Sequence, residues 1–565
     1  MTYPYTAFRE EIHTALARAI RKEYGTDVAV RLEAPSEHAD AAFPCFPLAG
    51  VAKASPRDIA RRLAAGMEGE WIDRVEAVNG YLNFFICPEQ LGREVLSLVD
   101  AMGDRFGALE DRGTSVIVEH TSANPNGPLH VGRARNPIIG DTLARLFRWA
   151  GYRVETQFYV DDMGKQVATL LWGIRNLDLK TEGDKEDHRL VAYYQRAHAR
   201  AAEDEEVDEQ IKDIIRRCEE GDPEALGAVK EAYRGVLAGI LQSLERINIS
   251  IDSFVEESRF VREGTVQQVI QRLQESPYAG REGGALYLDL EPFGVHGRNK
   301  KFFLTRTDGT SLYATRDIAY HLWKAQQADR LVNVLGEDHK LEAQLVEIAL
   351  TILETTVPVP VFYSFVSLPE GKMSTRRGRV VHLDDLIEEA VERAHREVKK
   401  RREVPEETAR HIAEKVGTGA IRYNIVKVRP EKAITFRWED ALNFEGQSAP
   451  FIQYAHARCC SILRKAGDAG VSPLPGSGFD HLQEIRLLKT IALFPDVVES
   501  SSQSCNPAAL AEYAHTLAAD FNLFYRDCQV LGSDREEQRL ALVRATQITL
   551  RNALELLGIA ALEEM

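Results

Sequence analysis

The sequence predicts a multidomain α/β chain: a parallel-sheet domain carrying a helical insertion, with a small α/β domain before it and an all-helical domain after it. Three observations carry the prediction. At 565 residues the chain exceeds what one hydrophobic core supports. Ser115 to Val160 reads as strand, loop, helix and strand, a β-α-β unit that ordinarily makes a right-handed crossover in a parallel sheet. From about Asn443 onward apolar residues recur at the three- and four-residue spacing of one-sided helices.

The first unit, residues 1–110, opens with a helical pattern over Phe8 to Tyr24. Ser55-Pro56-Arg57-Asp58 starts a second helix, with a serine cap and proline in the first turn. Val75 to Ile86 reads as two strands joined at Asn79-Gly80. The central unit, residues 111–385, begins with the β-branched run SVIVE, a buried strand, followed by the turn formers SANPNGP. From His130 an apolar-periodic segment runs through Leu143, Leu146 and Trp149 to Gly151, and Arg153 to Val160 is the next strand. Such a unit places a helix N-terminus at the carboxyl edge of a sheet, where free N–H groups favour phosphate. Neither GxGxxG nor GxxxxGK[ST] is present. His130-Val131-Gly132-Arg133 fills the first turn instead, with Gly132 permitting close approach and His130 and Arg133 on one face.

Residues 180–262 are densely charged and helical in pattern, the signature of a solvated insertion. Strands resume at Gly284 to Leu290 and Lys300 to Tyr313, with a turn at Asp308-Gly309. The following helix sets Tyr313 and Asp317 four apart on one face. Arg330 to Gly336 is another buried strand, ending at Glu337-Asp338-His339, and Val361 to Leu368 is the last. Residues 386–440 form a helical connector with the basic run EVKKRREV. Residues 441–565 carry helical patterns at Pro450 to Leu463, Leu510 to Gln529 and Gln538 to Gly558.

Composition sets the class. The chain is 44% hydrophobic and 28% charged, with no run of 18 apolar residues and no signal-peptide core among Arg9, Arg18, Arg21 and Lys22, so a cytoplasmic protein without membrane attachment is expected. Seven scattered cysteines without CxxC pairs predict reduced thiols and no structural zinc.

NPNGPLHVGR resembles the HIGH motif of class I aminoacyl-tRNA synthetases, and Lys372-Met373-Ser374-Thr375-Arg376 resembles their KMSKS loop. VEHTSANPNGPLHVGR, TDGTSLYATRDIAYH, KMSTRRGRVVHLDDL and FEGQSAPFIQYAHAR resemble the arginyl-tRNA synthetases in particular, over about Asp40 to Met565. The resemblance implies a Rossmann-like catalytic domain, an N-terminal domain that touches the tRNA elbow and, from YAHARCC, a DALR-type anticodon-binding bundle. It implies ATP with Mg²⁺, L-arginine and tRNA(Arg) as substrates, no metal ligands in the protein, and a monomer. His130, Arg133, Lys372 and Arg376 would be the catalytic cations. ATP would sit on Asn126, Gly127, His130, Gly132 and Arg133, and on Lys372, Met373 and Ser374. Glu119, Asn124, Tyr313, Asp317 and Asp338 would hold arginine; a guanidinium, planar and always charged, needs carboxylates that accept paired hydrogen bonds. Tyr454, Arg458, Phe524 and Tyr525 would meet anticodon bases.

Two departures stand out. The second histidine of HIGH is Arg133 and the second lysine of KMSKS is Thr375, while the place where many arginyl-tRNA synthetases carry a compensating lysine is Gly127. Arg133, Arg376 and Lys165 are the candidates for the missing charge. A net charge of −16 further requires that RNA be met by local basic patches, so binding should be salt-sensitive. The competing readings are a noncatalytic tRNA-binding relative and a class I synthetase for another amino acid. Intact HVGR and KMSTR segments speak against the first, and the acidic set of Glu119, Asp317 and Asp338 against the second.

Overall fold

The computed structural model describes residues 2–33, 39–181, 183–367, 381–401, 403–467 and 478–565. At its centre lies a five-stranded, all-parallel sheet of β1 (Ser115–Glu119), β2 (Arg153–Val160), β3 (Ser253–Glu256), β4 (Arg330–Gly336) and β5 (Val359–Tyr363), in the order β5-β4-β1-β2-β3. This is the doubly wound order, and the chain reverses direction across the sheet between β1 and β4. β1 is buried on both faces along Val116–Glu119, as its unbroken apolar run requires. Helix Arg135–Trp149 crosses from β1 to β2 with nearly every residue buried.

The helical excursion is shorter than the charge pattern indicates. Its helices Glu186–Glu203, Glu205–Glu219 and Pro223–Arg246 pack on helix Lys165–Asn176 around Ala168, Trp172, Ala197, Val207 and Ile211. It ends at Arg246, because Ser253–Glu256 is the edge strand of the central sheet, paired with Gln157–Val160. Four residues with polar ends carry no strand periodicity, so only the pairing reveals this element. The apolar run from Val361 also divides: β5 ends at Tyr363, and Val366–Ser367 pairs instead with Ile434–Thr435.

The first unit is a three-stranded antiparallel sheet, Ala41–Pro44, Tyr81–Ile86 and Ile72–Val78, under helices Pro4–Tyr24, Pro56–Ala64 and Pro88–Met102. Two local signals are realised as written: Ser55 Oγ accepts the Asp58 N–H at 3.2 Å, and Asn79 and Gly80 turn the hairpin at φ of 51° and 90°. This unit docks on the C-terminal helices. Arg9 makes a two-pronged pair with Asp496 at 2.6 and 2.8 Å, Lys489 meets Asp40 at 2.7 Å, and Phe494 packs against Phe106. The C-terminal helices are Ala449–Ala466, Leu482–Ala492, Phe494–Gln503, Pro507–Asp527 and Glu536–Leu556.

One buried guanidinium joins the units. Arg422, on connector helix Glu406–Val426, pairs with Asp141 of helix Arg135–Trp149 at 2.5 Å. It also donates to the carbonyls of Leu557 and Ile247, each at 2.7 Å. Both partners are almost wholly buried. Against the upward push of burial, Arg422 and then Arg145 hold the Asp141 carboxyl below the usual range.

Candidate active site

A cleft opens at the carboxyl ends of β1 and β4, where the sheet order reverses and ligands bind in such folds. Glu119, Asn124, Arg133, Tyr313, Asp317 and Asp338 border it together. They arrive from five places: the end of β1, the loop after it, the 3₁₀ turn Val131–Arg133, the start of helix Tyr313–Lys324, and the turn after β4.

The loop after β1 is held in a strained shape. Thr121 and Ser122 have φ of 71° and 36°, conformations that cost a non-glycine residue roughly 1–3 kcal/mol each. Asn136 Oδ1 accepts the Thr121 N–H at 2.7 Å. Ser122 Oγ accepts the Tyr159 N–H at 3.1 Å and donates to Glu119 Oε1 at 3.1 Å. The strain therefore serves to orient the carboxylate.

Val131–Arg133 is a single 3₁₀ turn, capped by the extended His130, ahead of the α-helix, which starts at Arg135, so the expected helical start at His130 is corrected. The reason is the histidine itself: His130 Nδ1 accepts the Gly132 N–H at 2.9 Å as an N-cap. A Cβ on Gly132 would meet that same nitrogen at 2.9 Å, which gives this glycine its reason. Partial desolvation of the ring, then the Arg133 charge, lowers the His130 imidazole below its ordinary value. With Nδ1 accepting, the proton of the neutral ring lies on Nε2, a donor for a phosphate oxygen. Arg133 is exposed at the cleft and pairs with no carboxylate among the described residues.

Asn126 and Gly127 do not border this cleft. Asn126 Nδ2 donates to Gln166 Oε1 at 2.7 Å, and a Cβ on Gly127 would strike Val191 Cγ2 at 2.6 Å. The insertion thus supports the loop from behind and leaves no room at 127 for a lysine. Lys165, another candidate cation, pairs with Asp208 of the insertion at 3.1 Å.

On the amino-acid side, Asp317 lies one helical turn from Tyr313. Burial alone would raise the Asp317 carboxyl, but His321, Lys324 and His339 bring it below the usual range. Burial first, then Asp317, Glu257 and Asp161, pushes the Tyr313 hydroxyl far upward, so it stays protonated. Asp338 is more open, with its side chain 52% exposed. The sequence reading missed Tyr159, whose buried hydroxyl has no hydrogen-bond partner among the described residues, and the group of His321 and Asn333, which line the cleft, with Lys324 beyond them. His321 and Lys324 continue the face of Asp317 at i+4 and i+7, a helical signal that was available.

Lys372, Met373, Ser374 and Arg376 lie outside the described residues. The described chain resumes at Val381: Val131 N–H donates to Val381 O at 3.0 Å and Leu383 N–H to Leu129 O at 2.7 Å, beside the HVGR turn. Asp384 then receives Lys185 Nζ at 2.6 Å, His188 Nε2 at 2.8 Å and Ser243 Oγ at 2.8 Å, all from the insertion. Asp187, His188 and Asp384 have the spacing of metal ligands, yet the Lys185 ammonium already stands among them, 3.4 Å from Asp187.

In the C-terminal bundle Arg458 is clasped between the rings of Tyr454 and Tyr525, at 4.7 and 4.9 Å, and donates to Asn522 at 2.8 Å. Both tyrosines are more than 40% exposed. Phe524 is corrected: it is fully buried beside Phe521, so its ring cannot stack on a base.

This sheet, its HVGR turn at the reversal and the carboxylate-lined cleft beside it define the catalytic domain of a class I aminoacyl-tRNA synthetase. Residues 99–438 match the family described as tRNA synthetases class I (R), catalytic domain. Residues 452–565 match the DALR anticodon binding domain, and residues 6–86 the arginyl tRNA synthetase N terminal domain. The chain belongs to the arginyl-tRNA synthetase family. It is 51% identical to the arginine–tRNA ligase of Methanocella arvoryzae over 94% of each chain, and 46% identical to that of Methanothermobacter thermautotrophicus over 92% of each. Its fold is similar to that of Thermus thermophilus arginyl-tRNA synthetase, with a TM-score of 0.83 and 31% identity over 99% of this chain and 100% of that one.

Proposed function

We propose that the chain attaches L-arginine to tRNA(Arg) at the expense of ATP, through an arginyl-adenylate. The arginine carboxylate attacks the α-phosphorus of ATP, bound as its magnesium complex, and pyrophosphate leaves. The terminal ribose hydroxyl of the tRNA then attacks the adenylate carbonyl, and AMP leaves. No protein nucleophile is needed; the protein aligns two reactants and stabilises growing negative charge. His130, through Nε2–H, and Arg133 serve the phosphates, with Lys372 and Arg376 assigned the facing side. Tyr313 and Asp317 take the guanidinium, and Glu119 and Asn124 the α-amino end. Tyr454, Arg458 and Tyr525 form an anticodon stacking platform, and the protein works as a cytoplasmic monomer.

The observation that carries the amino-acid choice is the Asp317 carboxylate, with Tyr313 one turn before it, on the cleft beside the HVGR turn. A lysine ammonium would satisfy its charge but could not offer paired N–H donors to both of its oxygens. The test is charging of total tRNA with arginine, lysine, cysteine and glutamine side by side. Arginine alone should be accepted. Charging with none of them, by folded protein that still binds tRNA, would leave an architecture without its reaction.

A further inference from the structure

The two carboxylates assigned to the substrate are joined along the cleft wall by a hydrogen-bonded chain whose polarity is set at one end, at Lys324. Lys324 Nζ, fully buried at the end of helix Tyr313–Lys324, lies 2.7 Å from Glu119 Oε2 and 2.8 Å from Asn333 Oδ1. It also stands over the ring of Tyr320 at 4.3 Å. An ammonium only donates, so the amide oxygen of Asn333 must face it. That leaves Asn333 Nδ2 2.6 Å from His321 Nε2, which must then accept. The proton of His321 is thereby placed on Nδ1, 2.8 Å from the Asp317 carbonyl and 3.2 Å from its carboxylate oxygen Oδ1.

We propose that Lys324, Asn333 and His321 are positioning residues for arginine: Lys324 holds Glu119 directly and, by fixing the Asn333 amide and so the His321 tautomer, aims an N–H at Asp317. The inference rests on the reading of Glu119 and Asp317 as the substrate's carboxylates. It adds that their placement is decided from Lys324, which does not border the cleft, through Asn333 and His321, which do. Each is almost completely buried, so an unmatched donor or acceptor anywhere in the chain is penalised, and the whole keeps one arrangement.

Two substitutions of equal severity separate this role from simple packing. In His321→Asn the amide N–H₂ takes the place of Nδ1–H and keeps the donor to Asp317; in His321→Gln the amide reaches the Nε2 position and the donor is lost. Charging kinetics of both variants should give a KM for arginine near the parent value for His321→Asn. For His321→Gln it should be raised about tenfold or more, with the KM values for ATP and tRNA unmoved in both. Equal arginine KM values in the two variants, or a common fall in kcat without a KM difference, would overturn the proposal. Asp317→Asn run alongside keeps the two ideas apart. If it leaves the arginine KM unchanged, the carboxylate reading itself fails; if it raises KM while the histidine variants match, only the positioning chain is disproved.

Discussion

Arg133 is the residue on which the phosphate chemistry turns. Of the cations that could replace the second lysine of the KMSKS pattern, Lys165 is engaged by Asp208, whereas Arg133 is exposed at the cleft beside the donor-bearing His130. Arg133→Ala should therefore slow adenylate formation by about 10²–10³-fold, the usual effect of removing one donor to developing charge. The arginine KM should hardly change. Arginine-dependent pyrophosphate exchange, run with cognate tRNA present, reads both quantities, and a rise confined to the arginine KM would remove Arg133 from this role. Single residues were unevenly legible. Glu119 could be named because a carboxylate at a strand end is costly unless it is used, and Asp317 through the family resemblance, but Phe524 could not be told from Tyr525. Adjacent aromatics on a helix face opposite surroundings, and only packing says which is which.

At the scale of elements, the insertion is joined to the active site by contacts its sequence does not advertise. Its charge pattern describes the outer face correctly, while Val191 against Gly127 and the grip of Lys185, His188 and Ser243 on Asp384 involve residues far apart in sequence and with no periodic signature. The hydrogen bond to Asp384 raises the His188 imidazole above its ordinary value, with Asp187 adding to the effect and burial and Lys185 opposing it; the edge of His382 completes the surroundings. A raised histidine stabilises the fold fully below its unfolded value, about 6.5, and ceases to do so as pH climbs through the folded value. Hence His188→Gln should lower the melting temperature most near pH 6 and progressively less toward pH 9. A loss independent of pH would mean that the imidazole charge contributes nothing. Where a local rule governs, as at Ser55-Pro56, Asn79-Gly80 and the run SVIVE, the sequence reading and the structure coincide. Ser253–Glu256 was missed because its strand state comes from β2 alone.

The whole molecule is assembled around contacts between its units more than around linkers. The N-terminal sheet domain is fastened to the C-terminal bundle by Arg9–Asp496 and Lys489–Asp40, and the catalytic helix to connector and bundle by Arg422. Arg422→Met would leave Asp141 buried with only Arg145 and should destabilise the protein by about 3–5 kcal/mol in urea unfolding. A change within experimental error would show that the pair is replaceable by packing. The partners of Arg422 also set an order of events during synthesis. Asp141 precedes it by 281 residues and Leu557 follows it by 135. A nascent chain that has emerged only as far as the connector helix therefore holds this guanidinium beside its carboxylate with one acceptor not yet made. The catalytic sheet can pair while the ribosome is still adding the last helices, but its crossover helix is locked only when residue 557 arrives. Pausing or premature termination before that point would expose an unfinished joint to proteases and chaperones at the place where catalytic domain, connector and bundle meet.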